Sequence, residues 1–367
     1  MFSASSFRIV TLSLAASAIL ACGGAEDTSA GDTAATSVAG LADDGTPRVE
    51  RVRSLLTTLA HDSMEGRRAG TPGAERARRF LIAELDRYGV EPAGTEGFNQ
   101  PLTLVEVEDN QGRLRWGRMP ETATAADYLP ENQLQITNVL GMIPGSDPAI
   151  ASEIVVVGAH FDHIGIGSAV NGDSINNGAD DDASGTIAAL EIARSFAQAR
   201  ARGEGPGRSV LIALFTAEEM GMLGTRLWLE NPTVPLEQVV ADLQIEMIGR
   251  PDSLSGGFGR GWLTGYERTT MGDILAAQGS PIVPDPRPEM RFYFRSDNLP
   301  FAQLGIPAHT LSSYDMHTDY HNVTDEVDLV DFAHMTALID AAEAMMVELT
   351  SGPTPEWKEG GRPEIGG

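Results

Sequence analysis

The sequence has one cysteine, Cys22, one lysine, Lys358, and half as many basic as acidic residues. A single cysteine cannot form a disulfide bond within the chain. The 26 basic residues stand against 52 acidic residues, which gives a formal net charge of -26. A surface with this charge would repel nucleic acids and anionic lipid headgroups, so we expect no nucleic-acid partner.

Long apolar runs are scarce as well, and the run near the N-terminus is too short to cross a membrane. It extends from Ile9 to Leu20, about a dozen residues, and follows Arg8, which is typical of a signal peptide. The letters LACG at its end resemble the lipobox of bacterial lipoproteins, in which the cysteine is lipidated and becomes the mature N-terminus. We therefore predict a signal peptide at residues 1–21 and a lipid anchor at Cys22 as the contact with a membrane. The expected location is extracytoplasmic, on the bacterial cell envelope, and the alternative is ordinary secretion without a lipid.

The rest of the chain divides into three segments by composition. Residues 22–46 are small, polar and acidic without any period, which predicts a flexible tether. Residues 47–350 place apolar positions at helix and strand spacing, and a hydrophobic content of 42% is enough for the core of a single domain. Residues 351–367 are rich in Pro and Gly, which predicts a disordered tail.

Strands and helices alternate through the predicted domain. Apolar runs predict strands at residues 136–143, 154–157, 209–215 and 239–248, and helical spacing predicts helices at residues 74–88, 183–202, 269–277 and 329–349. This alternation predicts an α/β fold with a mostly parallel central sheet and helices on both faces. Arg67 and Arg68 fall in a turn rich in Gly and Pro. They are predicted to be solvated, with binding of a substrate carboxylate as the alternative.

Polar side chains follow the predicted strands at their carboxyl ends. These are His160 and Asp162, then Glu218 and Glu219, then Glu246, and finally His321 in a later loop. The carboxyl ends of parallel strands meet at one edge of a sheet, so these residues are expected to lie close together. Imidazoles and carboxylates together suit zinc and similar transition metals. The sequence therefore predicts a metal site at this edge.

The same segments resemble one family of enzymes. The pieces AHFDH, NGADDDASG, TAEEMGMLG, EMIG, SDN, GIPA and YHNVTDE occur in the order typical of the di-zinc aminopeptidases, over roughly residues 50–350. The superfamily of these enzymes also holds glutamate carboxypeptidases and glutaminyl cyclases. The resemblance implies a metallopeptidase with an α/β/α fold that acts on peptides.

By position, the resemblance implies two zinc ions held by five residues. His160 and Glu246 would bind one ion, Glu219 and His321 would bind the other, and Asp181 would bridge the two. Such a pair, with Co²⁺ or Mn²⁺ as substitutes, can polarise a carbonyl group and lower the pKa of a shared water. Glu246 stands where the family usually has Asp, which bears on metal affinity or preference more than on the existence of the site.

Three further residues have roles that the resemblance and their positions imply. Glu218 would be the general base that takes a proton from water and later delivers it to the leaving amine. Asp162 would accept a hydrogen bond from the outer imidazole N–H of His160. Tyr320 occupies the position of a tyrosine that stabilises the tetrahedral oxyanion in the family.

Other polar residues near these motifs are interpreted as structural. This group consists of His163, Asp180, Asp182, His309, His317 and Asp319. Asn298 stands where the family often has His, and an amide cannot carry a proton as an imidazole does.

The function predicted is that of an extracytoplasmic zinc aminopeptidase that removes N-terminal residues from peptides. One alternative is a carboxypeptidase or dipeptidase of the same family, with Arg291 or Arg295 binding a substrate carboxylate. A second is a glutaminyl cyclase with one zinc ion. The third is a non-catalytic binding module, which is disfavoured because all five ligands and the base are retained. The sequence gives no prediction of the oligomeric state.

Overall fold

The computed structural model describes residues 45–364. The predicted signal peptide, the predicted lipid anchor at Cys22 and nearly all of the predicted tether lie outside the described residues. Within residues 45–364, no helix combines the length and the apolar character that crossing a membrane requires.

Seven α-helices and twelve β-strands are present within residues 45–364. The helices are α1 (Arg48–Leu59), α2 (Pro72–Arg87), α3 (Gly185–Ala201), α4 (Leu223–Glu230), α5 (Met271–Ala277), α6 (Asn298–Leu304) and α7 (Phe332–Ser351). The strands are β1 (Glu91–Pro92), β2 (Asn99–Glu108), β3 (Leu114–Gly117), β4 (Gln133–Ile143), β5 (Ile154–His160), β6 (Gly165–Val170), β7 (Asp173–Asn176), β8 (Ser209–Phe215), β9 (Val239–Ile245), β10 (Gly261–Leu263), β11 (Ile282–Pro284) and β12 (Ala308–Ser312). Each predicted helix and strand is present, with ends that differ by a few residues.

The central strands of the main sheet are parallel, as predicted, and its edges are mixed. The order is β11-β10-β12-β9-β5-β8-β4-β2-β3, with β1 paired to β4. Strands β12, β9, β5 and β8 run parallel to one another. Strands β4, β2 and β3 add antiparallel neighbours on one side, and β10 is antiparallel to β12 on the other. Only antiparallel strands can be joined without a long crossover, which fits the short connection from β2 to β3.

Helices cover both faces of the sheet, which confirms the predicted layers. Helices α1, α2, α3 and α7 pack against one face, while α4 and α6 pack against the other. Side chains of β5 alternate between the two faces: Val155 and Val157 belong to the first core cluster, and Ile154 and Val156 belong to the second. A strand buried on both faces is continuously apolar. In β5 the polar residue is His160, at the carboxyl end.

The segment after α7 packs against the domain, so the prediction of a disordered tail from residue 351 is wrong for residues 352–364. Trp357 pairs with Thr269 through the main chain, and its indole Nε1 donates to the carbonyl of Gly305 over 2.7 Å. Arg362 donates to the carbonyl of Gln303 over 3.0 Å. Pro and Gly prevent a regular helix or strand here, but they do not prevent an irregular segment from docking through an aromatic side chain.

Candidate metal centre

The predicted ligands converge at the carboxyl ends of the parallel strands. His160 is the last residue of β5, Glu219 lies shortly after β8, and Glu246 directly follows β9. Asp181 lies in a helical turn, Ala179–Ser184, that leads into α3, and His321 lies in the loop between β12 and α7. The structure therefore brings together all five side chains at the edge of the sheet where the sequence predicts a metal site.

Asp181 faces two groups of donor atoms with its two carboxylate oxygens. Oδ1 lies 3.4 Å from Nε2 of His160, and this nitrogen lies 3.8 Å from Oε1 of Glu246. Oδ2 lies 3.2 Å from Nε2 of His321, which lies 3.0 Å from Oε2 of Glu219. The donor atoms of each group lie within 4.8 Å of one another. One carboxylate thus belongs to both groups, which is the arrangement that a pair of metal ions with a shared ligand requires.

The protonation of His160 leaves the correct nitrogen available for a metal. Its Nδ1 lies 3.1 Å from the main-chain carbonyl of Asp162, which can only accept, so Nδ1 carries the proton. Nε2 of His160 and Oδ2 of Asp181 are buried and make no hydrogen bond. Imidazole nitrogens and carboxylate oxygens in groups of three suit zinc. The residues at this position therefore fit the two zinc ions that the resemblance implies.

Electrostatics point to a cation at the same place. Burial disfavours the charged form of His321, yet the close carboxylates of Asp181 and Glu219 raise the pKa of His321 to about 10. Burial alone would raise the pKa of Glu219, but hydrogen bonds from His163 and His321 lower it. Several carboxylates held this close to one another are stabilised by positive charge, which imidazolium or a metal ion can supply.

His163 lies inside the second group, although the sequence suggests only a structural role for it. Its Nδ1 lies 2.9 Å from Oε1 of Glu219 and 3.6 Å from Oδ2 of Asp181. His163 is buried, and its side chain joins those of Glu219 and His321 among the donors that surround Asp181. The signal in the sequence is its position three residues after His160, just beyond the end of β5.

Asp162 has a different contact from the one predicted. Its carboxylate lies 3.8 Å from Nδ1 of His160, and the main-chain carbonyl of Asp162 is the closer partner of this imidazole. The carboxylate Oδ1 instead accepts a hydrogen bond of 3.1 Å from the main-chain N–H of Glu218. In an extended segment, the carbonyl two residues on reaches the imidazole first, so the side chain is left to hold the neighbouring loop.

Glu218 projects from a strained turn beside the two groups. The preceding residue, Ala217, has a φ of 57°, in the left-handed region that non-glycine residues seldom adopt. Burial raises the pKa of Glu218, and the charges of Asp297, Glu246 and other acids add to this effect, while His160 opposes it. Asp297 is a buried neighbour that sequence reasoning did not select. It accepts a hydrogen bond of 2.6 Å from the hydroxyl of Thr225.

Asp182 and Gly178 shape the loop that carries Asp181. The carboxylate of Asp182 accepts from the N–H groups of Gly185 and Met247 over 2.9 and 3.1 Å, and from that of His160 over 3.3 Å. Gly178 has a φ of 55°, and a Cβ atom there would lie 2.2 Å from the carbonyl oxygen of Asp181. The expectation that Asp182 has a structural role is confirmed, because its carboxylate joins the ends of β5 and β9 to the start of α3.

Asp180 and Asp325 fix the same loop from its other side. The carboxylate of Asp325 accepts from the main-chain N–H groups of Asp180 and Asp181, with distances from 3.0 to 3.1 Å. The side chain of Asp180 accepts from the N–H of Gly249 over 2.6 Å and contacts Nε2 of His317 at 3.1 Å. Asp180 and His317 therefore have the structural role expected from the sequence.

Arg67 is fully buried, so the prediction that it lies in a solvated turn is wrong, whereas Arg68 is exposed. The guanidinium of Arg67 donates only to main-chain carbonyls, and three of these four carbonyls belong to segments that also carry predicted ligands. The acceptors are Phe161 at 2.7 Å, Leu59 at 3.1 Å, Asn177 at 2.6 Å and Gly178 at 2.9 Å. Glycine residues near Arg67 indicate that the main chain turns there, but they do not indicate which groups the Arg67 side chain contacts.

Tyr320 begins an aromatic wall beside the metal centre. Its ring stacks on the imidazole of His321, with centroids 3.9 Å apart and planes at 17°. Burial and the charges of Asp181, Glu246 and Glu219 raise the pKa of Tyr320, so its hydroxyl stays protonated at neutral pH. Tyr320 and Glu246 both line a cleft beside the centre. The hydroxyl is therefore placed as a neutral hydrogen-bond donor at the border of cleft and centre.

Asn298 and His309 have structural contacts away from the centre. The amide of Asn298 donates to the carbonyl of Tyr293 over 3.1 Å and accepts from the hydroxyl of Thr310 over 3.0 Å. His309 is buried between the hydroxyl of Thr269 and the carbonyl of Thr264. The role expected for His309 is confirmed, and Asn298 serves to anchor the start of α6 to β12.

Comparisons with known proteins show which family and which relatives this chain resembles. The model of peptidase family M28 matches residues 138–346. A probable leucine aminopeptidase of Trichophyton verrucosum is 24% identical over 300 residues, which is 79% of this chain and 77% of the relative. A probable zinc metalloprotease of Pyrenophora tritici-repentis is 29% identical over 180 residues, 48% of this chain and 32% of the relative. This chain thus spans about a third of the length of that second relative.

Two solved structures share the fold. An aminopeptidase from Aneurinibacillus sp. strain AM-1 superimposes with a TM-score of 0.59 at 15% identity, covering 86% of this chain and 96% of its own. The Legionella pneumophila LapA aminopeptidase superimposes with a TM-score of 0.57 at 19% identity, covering 85% of this chain and 74% of its own.

Proposed function

Because the chain belongs to peptidase family M28, we propose that it is a zinc-dependent aminopeptidase that hydrolyses the N-terminal peptide bond of peptides. The predicted family and the prediction of a metallopeptidase are confirmed by the family match. The observation that carries the finer proposal is the position of Asp181, whose two carboxylate oxygens face two separate groups of donors.

We propose that these groups hold two zinc ions. His160, Asp181 and Glu246 would form one site, and Asp181, Glu219 and His321 would form the other, with Co²⁺ or Mn²⁺ as substitutes. When bound, the ions would polarise the carbonyl of the scissile bond and lower the pKa of a water molecule. His163 contacts Glu219 and would hold this carboxylate in its binding orientation.

Glu218 would act as the general base. Its carboxylate would accept a proton from the attacking water as the new C–O bond forms, and would return it to the amine nitrogen as the C–N bond breaks. The hydrogen bond from its main-chain N–H to Asp162 supports this role, since it fixes the turn from which Glu218 projects. Burial, which raises the pKa of Glu218, favours its protonated form once the proton has been taken.

Tyr320 would stabilise the developing oxyanion. A phenol that stays protonated can donate a hydrogen bond to the carbonyl oxygen as negative charge develops on it. The stacking contact with His321 supports this role because it limits the rotation of the Tyr320 ring. The remaining groups of the centre would hold the substrate's free amine through their negative charge.

The proposal is favoured over its alternatives by the composition of the centre and by the names of relatives. A one-zinc cyclase needs one group of ligands, whereas this chain provides two. A binding module would not need Glu218 beside them. A relative that matches over most of both chains is named a probable leucine aminopeptidase, which favours hydrolysis at the N-terminus over hydrolysis at the C-terminus.

A panel of amino-acid p-nitroanilides tests the proposal. Hydrolysis is expected with free-amine substrates, to be lost on chelation and to return with zinc. N-acetylated versions of the same anilides provide the control, since a blocked amine cannot bind as a free one does. Cleavage of the blocked form alone would refute the aminopeptidase and favour the carboxypeptidase class. One bound ion per chain with no peptide hydrolysis would favour the cyclase.

We also propose that the enzyme is anchored through Cys22 on the outside of the cytoplasmic compartment. This rests on the apolar run and the letters LACG in the sequence. Peptides outside the cytoplasm would then be its substrates.

A further inference from the structure

The aromatic wall that begins at the metal centre continues along the cleft. From His321 and Tyr320 it passes to Tyr314, whose ring centroid lies 5.4 Å from that of Tyr320. Tyr314 contacts Phe292 at 6.0 Å, and Phe292 contacts Trp262 at 5.2 Å. All but His321 line the cleft that Glu246 borders. A substrate group that leaves the centre along this wall would therefore move over apolar ring faces.

A positive charge lies on this wall. The guanidinium carbon of Arg295 is 5.2 Å from the ring centroid of Phe292, and Arg295 is the basic residue among those that line the cleft. Its charge acts on both Tyr314 and Tyr320. Arg295 is exposed, so its donors can be reached from the cleft.

Arg295 has no partner of its own among residues 45–364, in contrast to its neighbours. Arg287 forms an ion pair with Asp252 at 2.6 Å, and Arg250 forms one with Asp319 at 2.6 Å. The side chain of Arg295 makes neither a hydrogen bond nor an ion pair within the described part of the chain. In a chain with 52 acidic and 26 basic residues, most arginines at the surface can find a carboxylate. An unpaired guanidinium at the cleft is therefore available to a ligand.

We propose that Arg295 binds a carboxylate of the substrate, so that the enzyme prefers peptides that place a carboxylate in the aromatic cleft. A guanidinium offers two parallel N–H donors to a carboxylate, and its stacking on Phe292 holds the plane of this fork. Two sources share this chemistry: the side chain of an N-terminal Glu or Asp, and the C-terminal carboxylate of a dipeptide. The inference rests on the proposed peptidase function, and it assigns the substrate class to that site.

Matched substrates that differ only in charge test the preference. The first pair is the p-nitroanilides of glutamate and glutamine, and the second is the dipeptide Leu-Leu and its C-terminal amide. We expect at least one pair to show a kcat/KM about tenfold higher for the carboxylate, which is the scale of a partly exposed hydrogen bond to a charged group. The pair that responds identifies which of the two sources the cleft accepts. Ratios near one in both pairs would overturn the inference.

The variant Arg295→Met removes the charge and keeps an unbranched stem. It is expected to lower the carboxylate-to-neutral ratio of the responding pair about tenfold. The matched control is Arg291→Met, because Arg291 lies in the same segment and stacks on Phe294 but does not line the cleft. Arg291→Met should keep the wild-type ratio. An unchanged ratio in Arg295→Met, or an equal loss in Arg291→Met, would contradict the assignment.

Failure of the proposed function is distinguishable from failure of this inference. Hydrolysis of neutral substrates without a preference for carboxylates would refute only the role of Arg295. Absence of hydrolysis with every substrate would refute the peptidase proposal, and calorimetry with free L-glutamate and L-glutamine then decides the role of Arg295. Tighter binding of glutamate that Arg295→Met abolishes supports the inference, and equal binding of the two amino acids overturns it.

Discussion

The Nη2 atom of Arg67 donates a hydrogen bond of 2.9 Å to the carbonyl of Gly178, three residues before the carboxylate that both groups of ligands share. The same guanidinium donates from Nε to the carbonyl of Phe161, the residue after His160. Arg67 thus connects the end of β5 with the loop that carries Asp181. Arg67 is not itself a proposed metal ligand, but it holds together the segments that carry two of them, His160 and Asp181.

Replacement of Arg67 is expected to destabilise the protein and weaken its metal binding. Arg67→Met leaves four main-chain carbonyls without their donor, so we expect a loss of about 3–5 kcal/mol in the free energy of unfolding. Arg67→Lys keeps the charge, but one ammonium cannot reach all four carbonyls, so it should be intermediate. Urea unfolding of the metal-free protein and metal content per chain measure the two effects. The exposed neighbour provides the control, since Arg68→Met should change stability by no more than about 0.5 kcal/mol. Equal stability of Arg67→Met and Arg68→Met would disprove the structural role.

Removal of the proposed general base, Glu218, should abolish turnover while the protein stays folded and keeps its metal ions. Glu218→Gln is nearly isosteric and still allows the main-chain N–H to bond to Asp162, so we expect metal content to be retained. Activity should fall at least about a hundredfold, the scale of general-base catalysis. Initial rates with a p-nitroanilide and elemental analysis of the same sample measure both. Glu237→Gln is the control, because Glu237 is exposed and precedes β9 at the opposite end of the strand. Near-native turnover in Glu218→Gln would refute the mechanism.

Replacement of the proposed ligands should show, through metal content, whether Asp181 is shared by two ions and Glu246 binds one. Asp181 contributes to both groups, so Asp181→Ala is expected to lose both metal ions. Glu246 contributes to one group, so Glu246→Ala should keep about one ion per chain, against about two in the wild type. Metal-to-protein ratios after gel filtration provide the measurement. If Asp181→Ala and Glu246→Ala retain the same amount of metal, Asp181 is not a bridge.

The buried His309 should make stability depend on pH below neutrality. Burial and the charge of Arg268 lower the pKa of His309 to about 4, although a hydrogen bond to the carbonyl of Thr264 opposes them. In the unfolded chain a histidine binds its proton near pH 6.5, about 2.5 units higher. Between these values the unfolded state binds the proton and the folded state does not. Stability from His309 is therefore complete above about pH 6.5 and falls by up to about 3 kcal/mol as the pH drops to about 4.

The measurement is urea unfolding from pH 7 to pH 4.5 for the wild type and for His309→Asn. The variant keeps an N–H for the carbonyl of Thr264 but cannot bind a proton, so its stability should fall less on acidification. His61→Asn is the control, since His61 is exposed and its exchange should leave the pH profile of the wild type unchanged. Parallel profiles for the wild type and His309→Asn would show that His309 does not contribute.

Cys22 should carry the lipid. The full chain expressed in a bacterium with an alkyne-labelled fatty acid is expected to incorporate the label and to partition with membranes. Cys22→Ser should lose the label, and because the sequence has no second cysteine, the loss would be specific to this position. A wild-type protein that is secreted without label would support ordinary secretion instead.

The sequence predicts where the proposed ligands meet because their placement follows from two local patterns. His160 ends a strand, Glu219 and Glu246 follow one closely, and the carboxyl ends of parallel strands meet at one edge. The partners of Asp162 and Arg67 could not be read in this way. Arg67 bonds to carbonyls of residues roughly a hundred positions further along the chain, and such contacts depend on the path of the main chain rather than on residue type. The same holds for Trp357, because a segment rich in Pro and Gly gives no indication that its indole bonds to the carbonyl of Gly305.

The hydrogen bonds that the carboxylate of Asp325 accepts from the main-chain N–H groups of Asp180 and Asp181 have a consequence for when the centre forms. The loop with the shared ligand is held at one end by Arg67 and at the other by Asp325, so the centre draws on most of the length of the chain. An N-terminal fragment that stops before His321 lacks both a ligand and this clamp. During synthesis, the centre therefore cannot be complete until nearly all of the chain has been made and folded.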